Sequence, residues 1–291
     1  MKKHIFLFLV LLVFTTVSFA QNKKLKPKDL HAKHKNSSEL GFFLGGSYYI
    51  GDLNQTKQFL FTKPAGGVVF RYNINPRLSA RANILVGSIE GHDSYSGSAS
   101  QKQRNLNFKS PIDEFSGQFE FNFLNYRMGI EREKFTPYIF LGIAAFNFNP
   151  KGQLPNGDYV ALQPLRTEGE GLPGGSKKKP YKLTQISIPF GVGIKTNIAN
   201  KMCLSIEWGM RKTFTDYLDD VSNKYYNPAK LGSANARYFS DPSIGTDLNA
   251  NGGRGNIGSQ RGNPLNDDWY CFVGVILSFE LRGPKEKCPG F

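Results

Sequence analysis

Alternating hydrophobicity is the feature that most constrains this chain. Eight stretches of strand length carry apolar residues at every second position, and the connections between them alternate between long and very short. A period of two is typical of strands with two different faces. Because backbone amides inside a bilayer must find partners within the protein, strands cross a membrane only as a closed cylinder. The pattern predicts an all-β fold, an eight-stranded antiparallel transmembrane β-barrel over residues 39–282.

The first 20 residues have the pattern of a secretory signal peptide. Lys2 and Lys3 precede an apolar core, and Ser18-Phe19-Ala20 forms a small-x-small cleavage site. Position 21 is Gln rather than Cys, which argues against lipoprotein processing there. Later apolar runs are shorter than the roughly 20 residues that a membrane helix needs. We therefore expect an exported protein whose barrel lies in the cell outer membrane.

The lengths of the connections predict how the barrel is oriented. Residues 75–77, 125–135 and 199–201 form the second, fourth and sixth connections, and they are shorter than the other four. Outer-membrane barrels place short turns in the periplasm and long loops outside. Both termini are therefore expected on the periplasmic side, as a basic tail at residues 21–38 and an extension at residues 283–291.

Charged residues within the strands fall on the less apolar face. These residues are predicted to form a lumenal ion-pair network of Arg71, Arg81, Glu114, Glu120, Lys195, Glu207 and Arg211. A barrel of eight strands is just wide enough to be filled by its own side chains. We expect a sealed lumen; a gated conductance path is the alternative.

Two strands depart from the simple pattern. The fifth stretch, residues 138–148, is apolar at successive positions, so its sequence does not define which side faces the lumen. In the sixth, Pro189 removes a backbone donor from the ladder and predicts a bulge or distortion.

Positive charge is in excess, with 37 Lys and Arg against 23 Asp and Glu. An exported chain of this kind is expected to meet lipopolysaccharide phosphates or an acidic protein partner rather than nucleic acid. Part of the charge precedes the first strand, at Lys23, Lys24, Lys26, Lys28, Lys33 and Lys35. This tail is either a solvated, disordered segment or a contact for a partner protein.

The three cysteines form an odd set, so at least one lacks an intramolecular partner. Cys203 and Cys288 are both predicted near the periplasmic side, and Cys271 at the opposite rim. A Cys203–Cys288 disulfide is one possibility, and unpaired thiols are the favoured one.

Catalytic machinery is not expected. His92 is followed by Asp93 and Ser94, but adjacent residues in a loop do not by themselves arrange a nucleophile, a base and an orienting acid. We predict a protein that is not an enzyme, with no catalytic residues, no cofactor and no small-molecule substrate.

Acidic residues raise two possible cation sites. Asp219-Asp220 and Asp267-Asp268 lie at the two ends of the last long loop and could meet as a cation site or acidic dyad. The favoured interpretation is that they are solvated loop bases. Residues 247–252 begin like a calcium loop, but Gly258 stands where a bidentate Glu is required, so an ordinary loop is favoured and no metal site is predicted.

Several longer strings carry a family resemblance. They are FLGGSYYIGDLN at residues 43–54, LQPL at 162–165, TEG at 167–169, EWGMRKTFTDYLDDVS at 207–222, QRGN at 260–263 and DWY at 268–270. Together they resemble the PorG family of Bacteroidetes outer-membrane barrels over most of the mature chain.

The resemblance implies a component of the type IX secretion machinery that associates with a periplasmic ring of a lipoprotein and its partner protein. The segments expected to contact the ring are the turn at residues 125–135 and the two tails, through Lys23, Lys24, Lys26, Lys28, Lys285, Lys287 and Cys288. The alternative is a stand-alone structural or adhesive barrel whose outer loops bind lipopolysaccharide or a surface ligand, which Lys177-Lys178-Lys179 in the third loop favours.

Overall fold

A computed structural model of the protein describes residues 36–54, 59–243 and 256–281. The signal peptide, the basic tail up to residue 35 and the extension at residues 283–291 lie outside the described residues. Their assignment stays a prediction.

Ten strands form one antiparallel sheet. They are β1 (Ser37–Ile50), β2 (Lys63–Asn73), β3 (Leu78–His92), β4 (Asn107–Asn122), β5 (Phe135–Phe148), β6 (Lys151–Gln153), β7 (Tyr159–Ala161), β8 (Thr184–Ala199), β9 (Met202–Thr213) and β10 (Trp269–Leu281). The order β3-β2-β1-β10-β9-β8-β5-β4 is closed by pairing between β3 and β4. This confirms the eight-stranded antiparallel barrel. The short hairpin of β6 and β7 pairs with β4 beyond the end of β5 and so extends the barrel wall on the outer side.

Two short helices interrupt the outer loops, α1 (Ala99–Arg104) and α2 (Ala234–Ser240). Among the described residues, neither these nor any other helix has the length and apolar character to cross a membrane.

The two faces of the barrel wall differ sharply in chemistry. In β4, Phe115 and Phe119 are 61% and 62% exposed on the outside, whereas Glu114 and Glu120 are buried inside. The other barrel strands follow the same rule, and exposed Val, Ile, Leu and Phe side chains surround the cylinder. Since such an apolar belt around a polar interior is what a bilayer requires, the barrel spans the outer membrane.

The facing of β5 is defined by its pairing with β4 and β8. Tyr138 and Phe140 point into the lumen and are buried, and Ile139 and Leu141 are exposed on the lipid side. The large aromatic rings inside help to fill the barrel, which explains why this strand is apolar on both faces.

The three short connections lie at one end of the barrel, as predicted. They join β2 to β3, β4 to β5 and β8 to β9, and the described chain ends, Asn36 and Leu281, lie at the same end. This end is periplasmic, because the long loops of outer-membrane barrels face outward.

The strands β3 and β4 are longer than the sequence pattern indicated. They contain 15 and 16 residues, and their pairing continues to His92 opposite Asn107. A tilted membrane strand needs only about 9–11 residues. The hairpin therefore extends the barrel wall beyond the membrane on the outside, and only residues 93–106 connect the two strands.

Pro189 interrupts one ladder without shifting its register. Pairing of β5 with β8 runs to Leu141–Phe190 and resumes at Ala144–Ser187 in the same register. The register shift of β8 lies instead between Asn197 and Ala199, next to the periplasmic turn. The predicted distortion is present at Pro189, but the bulge is elsewhere.

The outer loops fold into a compact layer, here called the outer cap, which comprises the described parts of residues 51–62, 93–106, 149–183 and 214–268. Its apolar core continues that of the barrel. The ring of Phe148 stacks on Tyr181 at 6.1 Å, and Tyr181 stacks on Tyr217 at 4.9 Å. Leu162, Leu218, Val221 and Phe239 belong to the same buried cluster.

Candidate functional site

Glu120 is the centre of the charge network in the lumen. Its carboxylate accepts hydrogen bonds from Arg71 Nε at 3.2 Å, Arg81 Nη1 at 3.3 Å and the Lys195 ammonium. All four side chains are buried. A carboxylate shared by three cations would leave an excess of positive charge if the network ended there.

Two further carboxylates balance these cations. Arg71 Nη1 lies 2.6 Å from Glu39, and Arg81 Nη1 lies 2.6 Å from Glu207. Arg211 Nε and Glu114 form a separate pair at 3.0 Å. All seven residues of the predicted lumenal set thus form ion pairs in the lumen, five in the group around Glu120 and two in this separate pair. The structure adds Glu39, which the sequence pattern did not identify because this residue opens the first predicted strand.

The lumen network is electrically neutral and packed between aromatic rings. Its carboxylates are Glu39, Glu114, Glu120 and Glu207, and its cations are Arg71, Arg81, Lys195 and Arg211. The Arg81 guanidinium lies 4.3 Å from the centre of the Phe140 ring, and Arg211 lies 4.8 Å from that of Phe272. Such paired and stacked charges fill the barrel without leaving a net field.

The turn between β4 and β5 closes the periplasmic end. Tyr126 is buried there, its ring lies 4.4 Å from Lys195 Nζ, and its hydroxyl donates to Asn197 at 2.5 Å. Its backbone N–H also bonds the carbonyl of Pro76 in the neighbouring turn, at 3.1 Å. Sequence reasoning missed this aromatic plug because it belongs to a connection rather than a strand.

Beyond Tyr126 the same turn forms a firm projection into the periplasm. Arg127 binds Glu133 at 2.8 Å, its carbonyl accepts from Asn197 at 2.9 Å, and Gly129 adopts the left-handed conformation that the bend requires. At the tip, Ile130, Glu131 and Lys134 are exposed. The other predicted contact residues, Lys23, Lys24, Lys26, Lys28, Lys285, Lys287 and Cys288, lie outside the described residues.

On the outside, Glu168 and Arg261 form the hub of the cap. Glu168 accepts from the backbone N–H groups of Ser222 and Asn223 and from Arg261 Nη1 at 3.1 Å. Arg261 also binds the carbonyl of Asp220 at 2.6 Å. Asp220 has a φ of 65°, a left-handed conformation that is unfavourable for a residue with a Cβ, so these bonds hold a strained backbone in place.

Three of the four acidic residues at the ends of the last loop are buried rather than solvated, which corrects the favoured sequence interpretation for those three. Asp219, Asp220 and Asp268 are buried, and only Asp267 is exposed. Asp220 accepts from Thr167 and Tyr181, and Asp219 and Asp268 meet at the hydroxyl of Tyr49. The loops fold back over the barrel, which buries residues that would be exposed in an open loop.

Buried carboxyl groups outnumber buried cations in the described part of the cap. Nine are buried among the described loop residues, namely Asp52, Asp93, Glu168, Glu170, Asp216, Asp219, Asp220, Asp241 and Asp268. Burial raises the pKa of Glu170 to about 8 and that of Asp216 to about 9, and it raises the pKa of Asp220 to about 6. Part of the cap therefore holds its carboxyl groups in the protonated form near neutral pH.

His92 and Asp93 do not form part of a catalytic triad. His92 Nε2 contacts Glu90 at 3.0 Å, and Asp93 binds Arg104 through both oxygens at 2.7 and 2.8 Å. Asp93 also accepts the backbone N–H of Leu106, so its role is to fix the start of the loop between β3 and β4.

Cys203 and Cys271 are buried free thiols, and Cys288 lies outside the described residues. Within the described ranges, no three acidic, His or Cys side chains are arranged to hold a metal ion. The start of the calcium-like loop, residues 247–252, is not described.

The strings that carry the family resemblance converge in the outer cap. Gly51-Asp52, Thr167-Glu168, Asp216–Ser222, Arg261 and Asp268 come from three loops. Tyr49 and Asp268 are 219 positions apart yet joined by a hydrogen bond. These strings therefore define a single three-dimensional arrangement rather than separate loop motifs.

Comparison with solved structures finds other outer-membrane proteins of low sequence identity. The chain is similar to Ail, the attachment invasion locus protein of Yersinia pestis, at 8% identity and a TM-score of 0.41, covering 85% of this chain and 99% of that one. It is similar to a major outer membrane protein of Thermus thermophilus at 11% identity and a TM-score of 0.39, covering 85% and 100%. The N-terminal β-barrel domain of Pseudomonas aeruginosa OprF gives 11% identity and a TM-score of 0.36, with the same coverage.

No curated protein matches the chain. A family model described as a domain of unknown function, DUF6089, matches residues 29–240. Because the match covers well over half of the 291 residues, the chain belongs to the DUF6089 family.

Proposed function

We propose that this outer-membrane barrel is a component of the type IX protein secretion machinery that anchors or contacts its periplasmic ring. The observation that carries the proposal is the projecting turn between β4 and β5. It is braced by Arg127–Glu133 and by Asn197, and it presents the exposed side chains Ile130, Glu131 and Lys134. An exposed apolar side chain among charges on a braced turn suits a protein contact, because the backbone of the turn loses little conformational entropy on binding.

The character of the lumen supports an anchoring role over transport. The eight paired charges fill the barrel, and Tyr126 closes its periplasmic end. A barrel of this width has no room for a solute once its side chains are in place. The sequence strings that converge in the cap resemble the PorG family, and this resemblance implies the partner, a ring protein in the periplasm.

A deletion strain tests the proposal at the level of the cell. Loss of the protein should abolish secretion of many cargo proteins at once, and plasmid-borne protein should restore it. Normal secretion in the deletion strain would contradict a role in the machinery.

The contact surface is tested by a matched pair of variants. The double variant I130E/K134E changes the tip of the projection, while L265E alters an apolar side chain that is 89% exposed on the outer face. After chemical cross-linking in native outer membrane, ring proteins should co-purify with wild type and L265E, and about tenfold less with I130E/K134E, a loss of about 1.4 kcal/mol. Equal recovery with all three would exclude this turn as the contact.

A second candidate function is lipopolysaccharide binding by a stand-alone barrel. Lys109 and Lys151 are register partners on the outer extension of the wall, and both are exposed. Lys109 Nζ also lies 5.8 Å from the ring centre of Tyr159. Because like charges opposite each other are destabilising, this pair suits a bound phosphate. Under this alternative, K109E/K151E weakens lipopolysaccharide binding and the deletion strain secretes normally with altered adhesion or envelope integrity.

A further inference from the structure

Tyr49, Asp219 and Asp268 form a small buried cluster where the outer cap meets the barrel. Tyr49 lies near the outer end of β1, and its hydroxyl oxygen is 2.5 Å from Asp219 Oδ2 and 2.7 Å from Asp268 Oδ1. Relative exposure is 1% or less for each of the three residues. Asp219 and Asp268 come from the two ends of the loop between β9 and β10, so the cluster holds both ends to β1.

The number of protons in the cluster follows from hydrogen-bond chemistry. A tyrosine hydroxyl has one proton and donates to one carboxylate, whereas an ionised carboxylate can only accept. The second short contact therefore requires a proton on Asp219 or Asp268. The other oxygen of each carboxyl is occupied, since Asp219 Oδ1 accepts from Val221 N at 2.9 Å and Asp268 Oδ2 accepts from Leu218 N at 3.0 Å. The additional proton thus lies between the Tyr49 oxygen and one of the two carboxyl oxygens that face it, Asp219 Oδ2 or Asp268 Oδ1.

The charges around the cluster favour retention of this proton. Asp52 contributes negative charge from the first loop, and Asp216 adds to it once it ionises; Arg104 is the facing cation, itself bound to Asp93 through two hydrogen bonds. Burial raises the pKa of Asp268 well above its usual range, and Asp219 and Asp216 add to the shift. Burial likewise raises the pKa of Asp219, to which Asp52 contributes.

A proton, rather than a metal ion, is the neutralising species that fits this geometry. Three carboxyl or imidazole groups positioned around a common centre are not found among the described residues. The two carboxyls instead point at the same hydroxyl, which occupies the space between them.

We propose that Tyr49, Asp219 and Asp268 form a shared-proton lock that keeps the outer cap closed and releases it in alkaline medium. The lock goes beyond the proposed secretion role and does not depend on it. Its sign follows from linkage: the closed cap binds one proton that the open loop, with ordinary Asp carboxyls, releases. The stabilisation is complete below the usual Asp pKa and is lost as pH rises through the raised value.

The lock is tested on the full chain in lipid or detergent by hydrogen exchange with mass spectrometry. Exchange of peptides covering residues 214–222 is followed from about pH 5 to about pH 10, corrected for intrinsic rates, with strand peptides from β4 as the internal reference. Protection of the cap should fall with pH in the wild type, while protection of β4 should not.

The decisive variant is D268N, because a carboxamide can accept from Leu218 N and donate to Tyr49 without a shared proton. The slope of log protection against pH should then decrease in magnitude by about one. The matched control is D267N, one residue earlier and exposed, whose slope should equal that of the wild type. A slope in D268N equal to that of wild type and D267N would overturn the proposal.

Infrared spectroscopy gives a readout that does not depend on cap stability. At neutral pH the carbonyl band of protonated carboxyl groups should lose intensity in D268N and keep it in D267N. Equal bands in the two variants would overturn the proposal. Opening of the cap by a chelator at neutral pH, reversed by calcium, would also overturn it, since this would identify a cation in place of the proton.

Discussion

The lumen and the outer cap both bury many charges, but they neutralise them in different ways. In the lumen, four carboxylates face four cations, and every member has an ion-pair partner. In the described part of the cap, nine carboxyl groups are buried, whereas Arg261 is the buried cation and Arg104 is largely buried; the other Lys and Arg side chains of these loops lie nearer the surface. The lumen is surrounded by hydrocarbon, where an uncompensated charge is very costly. The cap borders water and can take up protons.

The lumen and the cap therefore differ in how they respond to the surroundings of the protein. Each charge at the centre of the barrel has a partner of opposite sign, so the lumen network is balanced without an added proton. Protonated carboxyl groups in the cap ionise as pH rises, so the stability of the outer cap depends on pH. Loss of an ion-pair partner should therefore be most damaging in the lumen, and changes of pH should act on the cap.

The largest expected effect is that of E120Q. The substitution removes the charge that Arg71, Arg81 and Lys195 share, and breaking a buried pair costs about 3–5 kcal/mol. Urea unfolding in lipid, followed by the electrophoretic mobility of the folded barrel, measures the change. The control E131Q alters an exposed carboxylate of the periplasmic turn and should leave the midpoint unchanged. A shift for E120Q as small as that for E131Q would contradict the role of the network.

The separate pair Arg211–Glu114 tests whether balance, rather than charge itself, stabilises the lumen. R211M alone should cost about 3–5 kcal/mol, because Glu114 remains buried without its cation. The double variant E114L/R211M should recover most of that loss, since it removes both charges. Additive losses in the double-mutant cycle would show that the two residues act independently.

A smaller effect is expected for G51A in the cap. A Cβ at position 51 would overlap with Asp268 Oδ1 and Tyr49 Oη. The cap must shift to admit it, at a cost of about 1–3 kcal/mol. Limited proteolysis of the outer loops should reveal the opening, with urea stability of the barrel little changed. G97A is the control, because a Cβ there meets nothing within 4 Å; equal proteolysis of the two variants would refute the packing at Gly51.

The smallest effect concerns Glu170. Its pKa is raised to about 8, chiefly by burial and next by Asp220, so the folded cap loses stability as pH rises from the ordinary Glu value through about 8. E170Q removes this titration and should protect the cap at alkaline pH, with little change in acid. Hydrogen exchange of residues 167–176 measures it. Destabilisation by E170Q at alkaline pH would show that the ionised carboxylate is needed.

The barrel was predictable from the sequence because its signals are local. Alternation within each strand determines which side chains face inward, and loop lengths determine the orientation. Glu39 was not predicted as a lumenal residue because it lies at the start of the first alternating stretch. Tyr126 was not predicted because it lies in a turn. Each side chain is held in the lumen by contacts with neighbouring strands, which the alternation in its own part of the sequence does not show.

The cap was not predictable in the same way. Whether Asp219 or Asp268 is solvated depends on packing against Tyr49, 170 and 219 positions away. One signal was available: the three acids of residues 216–221 lie among Tyr217, Leu218 and Val221, with no Gly, Ser or Asn between them. Acidic residues placed among apolar ones indicate a loop that is packed, not solvated.

A sealed lumen places function in the periplasmic turn and the outer cap. Conductance tests the sealing of the lumen most directly. Purified full-length protein in planar lipid bilayers should show no stable open steps at neutral pH, and E120Q, measured beside it, shows whether the assay detects a lumen whose network is broken. Stable, reproducible openings of the wild-type protein would contradict the account, because they require a continuous water path through the Glu120 network and past Tyr126.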